Sequence, residues 1–260
     1  MSQEESHQLI RLIEGLVDED ADHTTEFLSY LDHSEPTVRE AAIWALWNGE
    51  LSRMLEPLLR ASETDADETV RAAAVSVSGR YIYEGLMLDP GAGAAPVRAL
   101  VQRVDHHLRS ILNQEKQPEL LRRRALESLS FNTDDELEEL IETWIGSANE
   151  LLRKSAAFAM GRANVDRFSK HLVKAIDDAS RMVRIEAIRS VGELGLKKGL
   201  LRLVELAKGP DQELAIEAIQ ALGQIGGPKA ESTLKGLVKG GDEARTAAAR
   251  DSLAEMTGDD

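Results

Sequence analysis

The chain has 260 residues, no cysteine and a formal net charge of −15, which excludes disulfide staples, thiolate metal sites and thiol nucleophiles and suits a reducing compartment. No run approaches the roughly 18 unbroken apolar residues that span a bilayer. Residues 1–80 carry 6 Lys/Arg against 17 Asp/Glu, a balance that opposes nucleic-acid backbones and anionic lipid.

These bounds predict a cytoplasmic protein with neither nucleic acid nor membrane as partner. The acidic front third suits a basic protein or peptide, and it equally serves solubility alone.

The opening stretch, MSQEESHQLIRLIEGLV, spaces its apolar residues and has no basic segment before them. It predicts a helix over about 4–17 rather than a signal peptide. A hydrophobic-Arg pair then recurs: Val38-Arg39, Val70-Arg71, Leu121-Arg122, Leu152-Arg153 and Val183-Arg184. Two degenerate copies follow, Leu214-Ala215 and Ala244-Arg245. The separations are 32, 51, 31, 31, 31 and 30 residues, so one period near 31 explains all but an insertion of about 20. That insertion, YIYEGLMLDPGAGAAPVRAL, predicts an inserted segment over about 81–97. Tyr81, Ile82, Tyr83, Leu86 and Met87 extend the preceding helix, and DPGAGAAP forms a loop.

The columns within the repeat carry its physics. Four residues after each pair's first member stand Ala42, Ala74, Ala125, Ala156, Ala187, Ala218 and Ala248. Position +4 shares a helix face with position 0, so alanine there lets a neighbouring helix come close. At +7 the residues are again small, Ala45, Ser128, Ala159, Ser190 and Ala221 among them. At +9, Gly79, Gly161, Gly192 and Gly223 predict left-handed helix caps.

Asp65–Glu68, Thr133–Glu136 and Ser147–Glu150 read as capping boxes, and Pro36 sits in the first turn of its helix. The segments RFSKHLVKAI, LEELIETWIG, GLLRLVELAKG and AESTLKGLVKG also have helical apolar spacing. Each period is therefore two helices and a turn, with no strand pattern and the seven prolines at boundaries.

VRIEAIRSVGELG from Val183 and LAIEAIQALGQIGG from Leu214 resemble HEAT repeats, in the short form of about 30 residues found in the phycobilin-lyase-like branch. The resemblance covers about residues 22–256 and implies a right-handed α-α superhelix of about seven helix pairs. The chain reads as a single domain over 1–260, with the 4–17 helix as cap and a last repeat at about 228–256. The resemblance also implies that Arg39, Arg71, Arg122, Arg153, Arg184 and Arg245 form a structural ladder to acidic residues in nearby turns. Asp32, Asp65, Glu115 and Asp178 are the implied acceptors.

In HEAT arrays the second helices line a concave surface, on which positions +2, +6 and +9 fall. This assigns a partner-binding face to Trp44, Trp47, Glu40, Arg123, Glu127, Lys154, Phe158 and Arg189. Trp44 and Trp47, one turn apart, either anchor a partner or lie beneath the N-terminal helix.

Catalytic and metal signatures are absent from the sequence. Deoxyhypusine hydroxylase, a HEAT-fold di-iron enzyme, uses His-Glu pairs. None of His7, His23, His33, His106, His107 and His171 is followed by Glu, and His106-His107 reads as a polar helix face. Alkylpurine DNA glycosylases set tryptophans in a basic concavity, which the acidity around Trp44 opposes. The expected function is a non-catalytic scaffold or adaptor binding a protein or peptide, with no cofactor. A phycobilin-lyase-like protein that packs a flat tetrapyrrole on AAIWALW is the alternative.

Overall fold

A computed structural model of the chain describes residues 3–19, 21–87, 95–240 and 242–257. These residues form helices joined by short turns, with no strand among them, and the fold is all-α. None of the described helices is long and apolar enough to cross a membrane. The chain divides into two compact units, residues 1–133 and 134–260.

The first unit opens with α1 (Gln3–Val17). Three helix pairs follow: α2 (Thr24–Ser29) with α3 (Pro36–Ala45), α4 (Leu51–Thr64) with α5 (Glu68–Met87), and α6 (Ala95–Asn113) with α7 (Glu119–Leu129). The second unit holds four pairs: α8 (Asp135–Ile145) with α9 (Glu150–Ala163), α10 (Ser169–Ala175) with α11 (Arg181–Glu193), α12 (Leu200–Ala207) with α13 (Gln212–Ile225), and α14 (Pro228–Gly240) with α15 (Glu243–Thr257). Second helices stack on one another, α3 on α5 and α5 on α7 in one unit, and α9 on α11, α13 and α15 in turn in the other. The inserted residues lengthen helices: 81–87 are the last turns of α5 and 95–97 the first of α6. The rest of the predicted loop, residues 88–94, lies outside the described residues.

Burial follows the repeat. Val38, Val70, Leu121 and Val183 and the alanines at +4 from Ala42 to Ala218 are at most 1% exposed. The last copy is shifted. Ala249 and Ser252, not Ala248, are its buried small residues, and Asp242 accepts from the Arg245 N–H as Asp211 does from that of Leu214. The final spacing is therefore 31 rather than 30, and Arg245 takes the hydrophobic position of its repeat instead of the arginine column.

Two expectations about helix ends are corrected. The +9 glycines are not caps. They lie inside helices, and a Cβ at Gly79 would come within 2.9 Å of the Ser128 Cβ, one at Gly161 within 2.8 Å of the Ser190 Cβ, and one at Gly223 within 2.8 Å of the Ser252 Cβ. Glycine is required there because two helices touch backbone to backbone. The caps with positive φ fall three residues later, at Asn164 (φ 51°), Gly195 (φ 60°) and Gly226 (φ 68°). After α11 the Leu196 N–H reaches the Val191 carbonyl and closes a Schellman turn.

N-caps also fall later than the predicted boxes. Asp134 accepts from the Leu137 N–H and Asn149 from the Leu151 N–H, while Asp67 accepts from Thr69 and Val70. Asp65 and Ser147 instead brace the turns before those caps, accepting from the Asp67 and Asn149 N–H groups.

Pro57 sits inside α4, away from any boundary. An interior proline costs a helix roughly 3 kcal/mol. Met54, Leu55 and Leu58 of the same helix are at most 2% exposed, and burial of about 1.5–3 kcal/mol each offsets that cost.

Candidate functional site

Trp44 and Trp47 stand out in the first unit because both are exposed, at 43% and 39%, whereas Trp144 is buried at 6%. Local geometry explains Trp47. In four later repeats position +9 is a glycine, Gly79, Gly161, Gly192 or Gly223, pressed against the next helix. Here α3 ends at Ala45 and the chain tightens into a 3-10 turn over Leu46–Asn48, which turns position 47 outward. The turn is held from α5: Arg80 Nη1 donates to the carbonyls of Trp47 and, at 2.6 Å, of Gly49. The Tyr81 hydroxyl donates to the Leu51 carbonyl at 2.5 Å, and burial raises its pKa well above the usual phenol range.

The N-terminal helix α1 packs on α3 through Ile13, which is 1% exposed, yet it leaves Trp44 uncovered. Between the two helices runs a groove of about 520 Å³. Ile13, Val17, Ala41 and Trp44 supply its apolar surface, and Glu14, Asp18 and Glu40 its acidic rim. The Thr69 hydroxyl lies 3.0 Å from the Glu40 carboxylate and 2.8 Å from that of Asp67, which share its one hydrogen. Glu14 and Asp18 have no cation paired with them among the described residues, and no basic residue lines the groove. The α1 side of this groove is not among the residues that the repeat pattern assigns to a partner face. The signal was present in HQLIRLIEGLVDED, whose apolar stripe sits beside Glu14 and Asp18.

The other residues assigned to a partner face are engaged within their own units. Arg123 is a correction: it is 9% exposed, its Nε is buried without a hydrogen-bond partner, and that nitrogen lies 3.6 Å from the Glu119 carboxylate. Glu127 is half-buried and accepts from Arg124 at 2.7 Å. In the second unit Lys154 and Phe158 are half-buried, with the Arg162 guanidinium 5.1 Å from the Phe158 ring centroid. Arg189 is exposed but donates through two nitrogens to the carboxylate of Glu217.

The arginine column follows a stricter rule than carboxylate pairing. Arg39, Arg71, Arg153 and Arg184 each donate through Nη1 to the carbonyls six and five residues earlier, at 2.6–3.4 Å. Those carbonyls belong to the turn that precedes the arginine's own helix. Arg39 and Arg153 also grip a carboxylate of the next turn bidentately, Asp65 at 2.8 Å and Asp178 at 2.8–2.9 Å.

Other expected rungs differ. Arg122 donates to the Leu112 carbonyl, Asp32 faces Arg60 at 3.5 Å, and Glu115 is exposed. Arg245 donates to the Gly209 carbonyl. Arg181 takes the next turn's carboxylate, Asp211, in place of Arg184.

His107 is not a surface residue of a polar face. Its side chain is 13% exposed, Nε2 lies 2.8 Å from the Ser62 hydroxyl and Nδ1 lies 3.4 Å from Glu63. This Ser-His-Glu order has no catalytic setting, because Ser62 is 3% exposed and donates to the Leu59 carbonyl. Among the described residues no group of His, Asp and Glu is arranged to hold a metal ion.

These groups set the acid stability. Burial lowers the pKa of His107 against the opposing pull of Glu63. The unfolded chain therefore takes up the proton first, and this contribution is lost as pH falls through 6.5. Burial raises Asp65 and Asp178, but bonds from Arg39 and Arg153 and from backbone N–H groups outweigh it and hold both below the ordinary 3.8. The Arg181 bond and the Leu214 N–H hold Asp211 at about 2. Depressed carboxylates stabilise the fold above their unfolded pKa and lose that contribution as pH falls through the folded one. The melting temperature is expected to decline below about pH 6.5 and again from about pH 4 to 2. His107→Gln should remove the first step. A wild-type profile flat from pH 7 to 3 would contradict both assignments.

Residues 169–254 match the family model for HEAT repeats. Helix pairs of the same form precede that segment, and the chain carries HEAT repeats within an all-α fold. Among solved structures it is similar to YibA of E. coli, at 14% identity over 99% of this chain and 97% of that one, with a TM-score of 0.51. It is also similar to the complex of CpcE and CpcF of phycocyanin lyase from a Nostoc species, at 18% identity over 93% and 96% of the two chains, TM-score 0.54. Yeast importin-β (Kap95p) aligns at 14% identity and TM-score 0.56 over 90% of this chain, which spans only 35% of that protein. At such identities the likeness is one of fold. No curated protein matches the chain by sequence.

Proposed function

We propose that the protein is a non-catalytic interaction scaffold that grips a protein or peptide through the surface carrying Trp44 and Trp47. The observation that carries this reading is a pair of exposed tryptophans on a held backbone, one of them lining an apolar groove. Large aromatics fixed in this way supply contact area at low entropic cost and are the usual anchors of an interface. The solved relatives include CpcE and CpcF, described as a complex, and Kap95p, described with RanGDP. Protein binding is thus compatible with the fold class. The tetrapyrrole alternative is disfavoured by charge, since bilin propionates would meet Glu14, Asp18 and Glu40 with no cation among the lining residues.

The test is affinity capture from the source cell with wild-type and Trp44→Ala/Trp47→Ala baits, alongside circular dichroism of both. Specific partners should be retained by the wild type and depleted by about a hundredfold in the variant, the effect of losing a hot spot worth about 2–3 kcal/mol, with helicity unchanged. Equal recovery on both baits would refute the assignment.

A further inference from the structure

We infer that the groove between α1 and α3 takes a basic peptide segment, with an apolar side chain on Trp44 and flanking Lys or Arg on Glu14, Asp18 and Glu40. The inference rests on the interaction reading above and names the partner's chemistry. Charge and shape both point to it. The groove volume of about 520 Å³ has room for a few aliphatic side chains. Its apolar surface of Ile13, Val17, Ala41 and Trp44 asks for such side chains.

The rim is of one sign. Glu14 and Asp18 are exposed, and Glu40 is half-buried on the same groove. The surrounding residues 1–80 carry 6 basic against 17 acidic side chains, a net of −11 that would draw a cationic segment in and repel an anionic one. Several acidic side chains outside the groove are instead engaged by internal cations, as Asp65 is by Arg39, Asp178 by Arg153 and Glu217 by Arg189. An acidic rim left without internal cations beside an exposed tryptophan is the arrangement that recognises a Lys/Arg-flanked hydrophobe.

The probe is a short fluorescein-labelled peptide of Lys-Leu-Ala-Lys repeats, compared with versions in which every Lys is Glu or every Leu is Ser. Binding to the full chain is followed by fluorescence anisotropy at two salt concentrations. The Lys-Leu peptide should bind, the other two should bind at least about tenfold more weakly, and added salt should weaken the Lys-Leu peptide. Glu14→Gln/Asp18→Asn/Glu40→Gln should cost about tenfold and Trp44→Ala at least as much. Neutralising Asp135, Glu136 and Glu139 on α8 should change nothing, which separates the groove from general acidity.

Binding that survives the rim substitutions, or no binding at about 1 mM peptide, overturns the inference. Dimerisation abolished by the same substitutions without peptide binding also overturns it, by giving the groove to a second copy. A native partner lost on the tryptophan-deficient bait while the three peptides behave alike removes the basic-peptide assignment and leaves the scaffold reading standing.

Discussion

Gly192→Ala is expected to lower the stability of the 134–260 unit by about 2 kcal/mol, while Gly236→Ala raises it by about 0.5–1 kcal/mol. The chemical change is the same and both glycines are inside helices. Alanine has the higher helix propensity, and at Gly236 an added Cβ meets nothing within 4 Å, so only the gain remains. At Gly192 the Cβ would lie 2.7 Å from the Ala221 Cα, a backbone atom that cannot rotate away. α11 and α13 must part, and overpacking of about 1–3 kcal/mol exceeds the propensity gain. The strain falls on the interface between neighbouring repeats, where an array stores most of its cooperativity. Urea denaturation of the two variants checks the signs, and a stabilised Gly192→Ala would mean that the +9 column is not a helix contact.

Arg39→Ala and Arg153→Ala should each cost about 2–3 kcal/mol, and Arg71→Ala or Arg184→Ala about 1 kcal/mol. All four lose bonds to two turn carbonyls. Only the first pair also strands a carboxylate. The Asp65 side chain is 9% exposed and that of Asp178 16%, so neither can recover full hydration once its arginine is gone. Lysine in place of Arg39 should restore little, since an ammonium cannot hold two carboxylate oxygens and two carbonyls in one plane. Arg202→Ala at the exposed pair with Asp177 should stay within about 0.5 kcal/mol. Thermal or urea unfolding of the six variants gives the ranking. Equal losses at Arg39 and Arg71 would show that the carboxylates contribute nothing.

Much of the fold is legible in the sequence, because a helix face repeats locally and the +4 alanines mark it seven times. The degenerate last copy hides a one-residue shift, since Ala248 and Ala249 are alike in composition and only burial tells them apart. The glycines misled in a different way. Two of them occur three residues apart in VRIEAIRSVGELG, and propensity alone favours neither as the cap. The first faces a neighbouring helix and the second has φ of 60°, a distinction made by what lies across the interface.

The candidate site divides along the same line. Trp44 and Trp47 are conspicuous as residues, but their exposure depends on how far α1 covers α3 and on the 3-10 turn that Arg80 holds. Helix periodicity puts Arg123 and Arg189 on a partner-binding face, but packing buries one and Glu217 engages the other. The amino-acid sequence by itself determined the helix pairs, their 31-residue period, the small-residue faces and the acidity of the first third, because each depends on composition or on neighbours within two turns. Tertiary structure alone decided which arginines meet a carboxylate, which glycine is a contact and which a cap, and that an acidic, tryptophan-lined groove stays open. Those outcomes depend on side chains some 25 to 50 residues apart, brought together only when the helices pack.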